Sequence, residues 1–270
     1  IDFFPCFTLK GQMRKYFLFG PQMDPAYVAR MKKAAKTWTE KDPLRRPHPC
    51  FKNAKEGWTP EAKNSWVDVR NTDNLQAMRE TSVYLMAEET GNEEVRRLYE
   101  ERIRKYVANL YHVGMGEWDS ANYHGHTLTA YLNLYDFAKD RDVKALAKAA
   151  LDYFTAVGAV KYWRGSFSGP SRREYGHTTP RSGGTADHLA LYFDDYPGAP
   201  ESYDRDQVYL ITSAYRPPKA VVRLAHKAFA KPLELFLAHP PYEALRQGAE
   251  APEFHETRFV GHSFELGTLA

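Results

Sequence analysis

Apolar positions recur at three- and four-residue steps through the middle of the chain, a period that predicts amphipathic helices. The first helix follows Asn71, with Thr72 as N-cap and Leu75, Met78, Val83, Leu85 and Met86 on its apolar positions. Gly91 is placed to end it as a left-handed cap. Asn92 opens a second helix, carried by Val95, Leu98, Ile103, Val107 and Leu110. Two more are predicted from about Ser120 to Lys139 and from about Asp142 to Gly158, with very short connections. A shift of 48 positions lays one pair over the other, matching Thr72 with Ser120, Asn74 with Asn122, Thr81 with Thr129, Val95 with Val143 and Leu98 with Leu146. Repetition at that period points to stacked α-hairpins.

The predicted fold is therefore mainly α. An open solenoid and a closed (α/α) toroid both fit, and the toroid is preferred because the flanks are not repetitive enough for a long array. It would be an incomplete barrel of hairpins formed by residues 1–270 as a single domain. Inner-helix N-termini would ring one mouth of a central cavity, bringing Asn71, Asn74, Asn122 and His124 to one level. The flanks predict helices from Asp24 to about Lys41 and from about Pro218 to His239, and a strand-like segment from Phe254 to Ala270. Residues 159–216, rich in Gly, Ser, Arg, Tyr and Pro, read as a long loop covering the cavity. The chain opens on Ile1 and stops inside an apolar stretch, so both ends read as cut, with a β domain expected to follow.

Composition narrows the function. With 43% apolar and 26% charged residues the chain is globular, and 37 Lys+Arg against 34 Asp+Glu leave only +3, too little for a nucleic-acid partner. Apolar runs fall well short of the roughly 20 residues that cross a bilayer, so no membrane span is expected. Eighteen Tyr, 15 Phe and 5 Trp suit either a protein that stacks sugars or an aromatic core. Cys6 and Cys50 have no CxxC partner. No GxxxxGK[ST], HExxH, GxGxxG or GxSxG motif occurs, which removes the usual support for nucleotide hydrolysis, zinc proteolysis, dinucleotide redox chemistry and serine hydrolysis.

Three clusters carry candidate chemistry. In Glu117-Trp118-Asp119-Ser120-Ala121-Asn122-Tyr123-His124-Gly125-His126-Thr127, Asn122 and His126 share a helix face and His124 points elsewhere. A helix N-terminus there would favour a carboxylate, although the same residues can act as caps and core. His124 and His126 converge poorly on one ion, so no metal is assigned. In Arg172-Arg173-Glu174-Tyr175-Gly176-His177, an arginine beside a tyrosine can stabilise a phenolate. The third cluster is Phe254 to Ser263, with His262. Together the groups fit β-elimination on a uronate: donors neutralise the carboxylate, a base takes the C5 proton, and an acid protonates the departing O4. No cofactor is required. A glycoside hydrolase using Glu117 and Asp119, and a non-catalytic glycan-binding helical-repeat protein, are the alternatives.

The helix start at Asn71-Thr72-Asp73-Asn74-Leu75, the segment from Ser120 to Thr127, the Arg173/Tyr175 loop and the terminal Gly261 to Thr268 resemble the (α/α)-toroid polysaccharide lyases that act on alginate, glucuronan and heparin-type chains. The resemblance implies a metal-independent lyase, secreted or periplasmic, with an acidic polysaccharide as its partner. It implies Asn122 and His124 as neutralising groups, Tyr175 as acid or base and Arg173 as its assistant. Tyr123 stands between an asparagine and a histidine that are adjacent in the alginate-lyase pattern, leaving His124 and His126 as rival catalytic histidines. Asn71, Asn74, Trp118, Tyr123, His126, Trp163, His177 and His262 complete the expected substrate-binding set.

Overall fold

A computed structural model describes residues 3–39, 72–173, 184–193, 206–241 and 251–270. The two expected hairpins are present in it: α3 (Asp73–Thr90) with α4 (Glu93–His112), and α5 (Tyr123–Phe137) with α6 (Arg141–Lys161). Gly91 closes α3 at φ 73°, in the left-handed region. Asn92 then accepts the Val95 amide at 3.2 Å, and Asp140 accepts the Asp142 and Val143 amides at 2.8 and 3.4 Å. These equivalent N-caps start α4 and α6 at residues 93 and 141, the 48-position offset read from the sequence.

Burial sorts these helices into layers. From Asp73 to Ala87 every residue of α3 is buried, because α3 packs against α4, α5, α1 (Phe3–Phe19) and α2 (Pro25–Thr39). α5 is nearly as enclosed, whereas α4 and α6 each bury one stripe and form an outer layer. Tyr106 of α4 stacks on Tyr131 of α5 at 5.9 Å, and Tyr131 meets Phe154 of α6 at 5.7 Å. Each buried side chain of this size contributes about 2 kcal/mol. The chain is thus mainly helical with a small antiparallel sheet. No helix among the described residues is long and apolar enough to cross a membrane.

Three expectations are corrected. The 159–216 stretch is not one loop: α6 runs on to Lys161, a hairpin of β1 (Tyr162–Trp163) and β2 (Ser166–Phe167) follows, and the stretch contains α7 (Thr185–Phe193) and α8 (Gln207–Thr212). The helix expected from Pro218 to His239 ends early as α9 (Lys219–Ala225), and Leu233–His239 is strand β3. Its leucines and alanine favour helix, but they alternate in burial and pair along seven positions with β4 (Phe254–Val260), from Leu233↔Val260 to His239↔Phe254. β4 pairs in turn with β5 (Glu265–Leu269), as the strand-like pattern there suggested. Finally, α1 went unforeseen because its apolar residues are not confined to one face.

Buried charge ties the sheet to the helices. Lys161, the last residue of α6, places Nζ 2.8 and 2.7 Å from the two Glu256 oxygens and 2.8 Å from Asp119 Oδ2. His239 Nε2 lies 2.9 Å from Glu256. Arg258 donates to Ser168 Oγ at 2.5 Å and pairs with Glu265, which also pairs with Lys227. Three cations thus face three carboxylates, as buried ions require. Gly169, at φ 88°, makes room for this cluster: a Cβ there would stand 2.0 Å from Arg258 Nη1. Gly169→Ala should therefore lower the unfolding free energy, measured by urea denaturation, by far more than the ~1–2 kcal/mol cost of a left-handed alanine. Gly165→Ala, at φ 81° with nothing within 4 Å, should show that backbone cost alone. Equal losses in the two variants would contradict the clamp.

Candidate functional site

The start of α5 is set by a hydroxyl. Ser120 Oγ accepts from the Tyr123 amide at 3.0 Å and from the Asn122 amide at 3.4 Å, so the segment turns and the helix begins at Tyr123, three residues later than expected. Just before it, Asp119 holds the left-handed backbone (φ 55°) that few side chains adopt. This turn buries Glu117 against the first turn of α3. Glu117 Oε2 accepts from the Asn74 amide at 2.9 Å and from Asn74 Nδ2 at 2.5 Å, and the Glu117 amide donates to Asp73 Oδ2 at 2.6 Å. Tyr106 donates to Asp73 Oδ1 at 2.8 Å. Burial first, and the Glu117 carboxylate second, push the Asp73 carboxyl up to about 7.

From Glu117 a row of groups runs across the N-terminal end of α5. Arg173, also left-handed (φ 66°), pairs with Glu117 and lays its guanidinium 4.2 Å from the centre of the Tyr123 ring. Tyr123 lies 6.3 Å, ring to ring, from His126. His126 Nδ1 is 2.5 Å from Asp206 Oδ2, and Lys10 Nζ is 2.6 Å from the same oxygen and 3.0 Å from Thr129 Oγ1. Burial alone would raise Asp206, but the His126 hydrogen bond and the Lys10 ammonium outweigh it and hold the carboxyl well below its ordinary range. Phenol, imidazole and guanidinium are thereby gathered in one row at the N-terminal end of α5, and the buried Lys10 ammonium joins it at Asp206.

The sequence-derived residues distribute unevenly. Tyr123, His126 and Arg173 share the row at the N-terminal end of α5, with half-buried Asn122 at the helix start beside them. Asn74 is committed to Glu117. His124 is fully buried between α5 and α6: Nε2 donates to the Phe154 carbonyl at 2.9 Å, its ring meets Phe154 and Phe167, and burial lowers its pKa. In that position it cannot meet a substrate. Trp118 is buried too, stacked on His239 at 4.2 Å, where with Asp119, Tyr153 and Lys161 it lines a cavity of about 120 Å³. Trp163 and His262 lie together elsewhere, around a cavity of about 300 Å³ shared with Arg164, His226 and Lys227. Asn71, Tyr175 and His177 lie outside the described residues.

Sequence reasoning missed Lys10 and Asp206, which stand 116 and 80 positions from His126 and belong to no motif. It also missed the donor set of Asp119, His239 and Glu256, whose ligand atoms lie within 4.8 Å of one another. That set has metal-binding chemistry, but the Lys161 ammonium already sits between its two carboxylates. Gly125 adds a constraint to α5: a Cβ there would lie 2.4 Å from His188 Nδ1, so α7 meets the α5 backbone directly. The chain matches no protein-family model, no curated protein and no solved structure.

The ion cluster makes stability depend on pH with a definite sign. Burial opposes Glu256 ionisation, yet hydrogen bonds from His239 and Lys161 hold its pKa below the ordinary value. A depressed folded pKa stabilises fully above the unfolded value of about 4.3 and is lost as the pH falls through the folded one. Urea denaturation should show wild type exceeding Glu256→Gln by about 3 kcal/mol at neutral pH. That gap should close only below pH about 4, and one that narrows with rising pH would reverse the assignment.

Proposed function

We propose that the chain is a polysaccharide lyase that cleaves a uronate-containing polymer by β-elimination, on hairpins belonging to an (α/α) toroid. The observation that carries this reading is the rim row itself: Arg173 over Tyr123, and Tyr123 beside an Asp206-bound His126. The C5 proton of a uronate is poorly acidic while the neighbouring carboxylate keeps its charge, so a cation at that carboxylate lowers the barrier. The Arg173 guanidinium supplies that cation and Asn122 adds an amide beside it. His126 takes the C5 proton; the electron pair forms the C4–C5 double bond as the C4–O4 bond breaks. Tyr123, whose ring the guanidinium covers, gives its proton to O4. Such polymers lie outside the cytoplasm, and the reading carries that location with it.

The hydrolase alternative asks for an available carboxylic acid in the cleft. Glu117 and Asp119 are both buried and ion-paired, which favours the lyase over a hydrolase built on them. Incubation with alginate, glucuronan and heparin-type chains should produce the ultraviolet absorbance of the new double bond. Silence on all three from a folded protein overturns the proposal, and products with saturated ends would assign a hydrolase. Binding without turnover would assign a glycan-binding protein. Tyr123→Phe should lower kcat by about 100-fold or more while leaving binding intact. If Tyr175→Phe does so and Tyr123→Phe does not, the acid is Tyr175, as the family resemblance implies.

A further inference from the structure

We propose that Lys10 and Asp206 are positioning residues that hold His126 as a neutral imidazole with its Nε2 lone pair facing outward. The geometry assigns the protons. Asp206 Oδ2 stands 2.5 Å from His126 Nδ1, and an ionised carboxylate only accepts, so Nδ1 carries the hydrogen. Lys10 Nζ lies 3.2 Å from Nδ1, but two donors cannot bond to each other; Lys10 instead converges on the same Asp206 oxygen at 2.6 Å and on Thr129 at 3.0 Å. Nε2 is then the unprotonated nitrogen. It makes no hydrogen bond among the described residues, and the side chain keeps 21% of its surface exposed. The edge-on ring of Phe7, 5.0 Å away, and Tyr123 restrict its rotation.

The charges around the ring explain why a lysine is present. A carboxylate alone at Nδ1 would favour the imidazolium and leave the base protonated at mildly acid pH. Burial first, and then the Lys10 ammonium on α1, which shares the Asp206 oxygen and lies 3.2 Å from Nδ1, oppose that effect; His188 on α7 adds to them, so the His126 pKa falls below its ordinary value. Among the described residues, Tyr209 of α8, whose ring lies 5.1 Å from Lys10, and the pair of Tyr123 and Arg173 complete the titratable and charged surroundings. The arrangement keeps Nε2 ready to accept a proton at pH values where a free imidazole is already charged. Once Nε2 has accepted one, Asp206 remains to stabilise the cation.

The catalytic meaning of the relay rests on the lyase reading, but its proton placement does not, and the test separates the two. Nitrogen-15 NMR of histidine-labelled full chain should show His126 as the Nδ1–H tautomer, titrating below 6.5. Lys10→Met should raise that midpoint by about one unit, and the acid limb of the kcat profile should move with it. Lys10→Gln, which keeps a donor to Asp206 without the charge, should shift it the same way and serves if the methionine variant does not fold. Asp206→Asn should mix the two tautomers. An Nε2–H tautomer in wild type, or a midpoint unmoved in both lysine variants, overturns the relay. The expected NMR behaviour without turnover of any uronate polymer upholds the relay and removes the lyase.

Discussion

A lysine at the end of a helix organises this molecule. Lys161 is taken out of water at the C-terminus of α6, and so are the carboxylates of Asp119 and Glu256 that surround it. None of the three could be buried singly without a penalty of several kcal/mol, so each determines where the others must be. Asp119 belongs to the turn before α5, Glu256 to the central strand of the sheet, and Lys161 to the outer helix layer. One ionic contact therefore joins three units whose apolar surfaces alone would allow them to slide. The turn it holds is the one that presents Glu117 to Asn74 and Arg173, so the placement of the candidate site derives from it.

Local signals were legible in the sequence and distant ones were not. Helices α3 to α6 declared themselves through apolar spacing and through Gly91, Asn92 and their successors, because those signals act within one turn of the chain. The apolar spacing predicts α5 from about Ser120, three residues early, because nothing in the spacing shows that the Ser120 hydroxyl makes a turn ahead of the helix. Strand β3 reads as helix because leucine and alanine favour helix, while its strand state depends on pairing with β4, distant in sequence. The balanced charges were invisible for the same reason: a lysine at position 161 carries no sign of a glutamate at 256.

The candidate site was half visible. Asn122, Tyr123, His126 and Arg173 could be picked out by residue type, since polar aromatic and cationic groups at a helix start are chemically suggestive. Which histidine faces the rim could not be settled so easily. Positions 124 and 126 are about 200° apart on a helix, so one must point inward when the other points out. The structure turns His124 toward Phe154 and His126 toward Asp206. The supporting acid and ammonium come from elements that only the packing brings near.

The contact at Gly125 has a consequence for how such a rim can vary. Where ring and main chain touch without an intervening side chain, the two helices have no slack to redistribute. Any side chain at position 125 would push α7 off α5, so the two helices move together as one body and Tyr123 and His126 keep fixed places relative to α7.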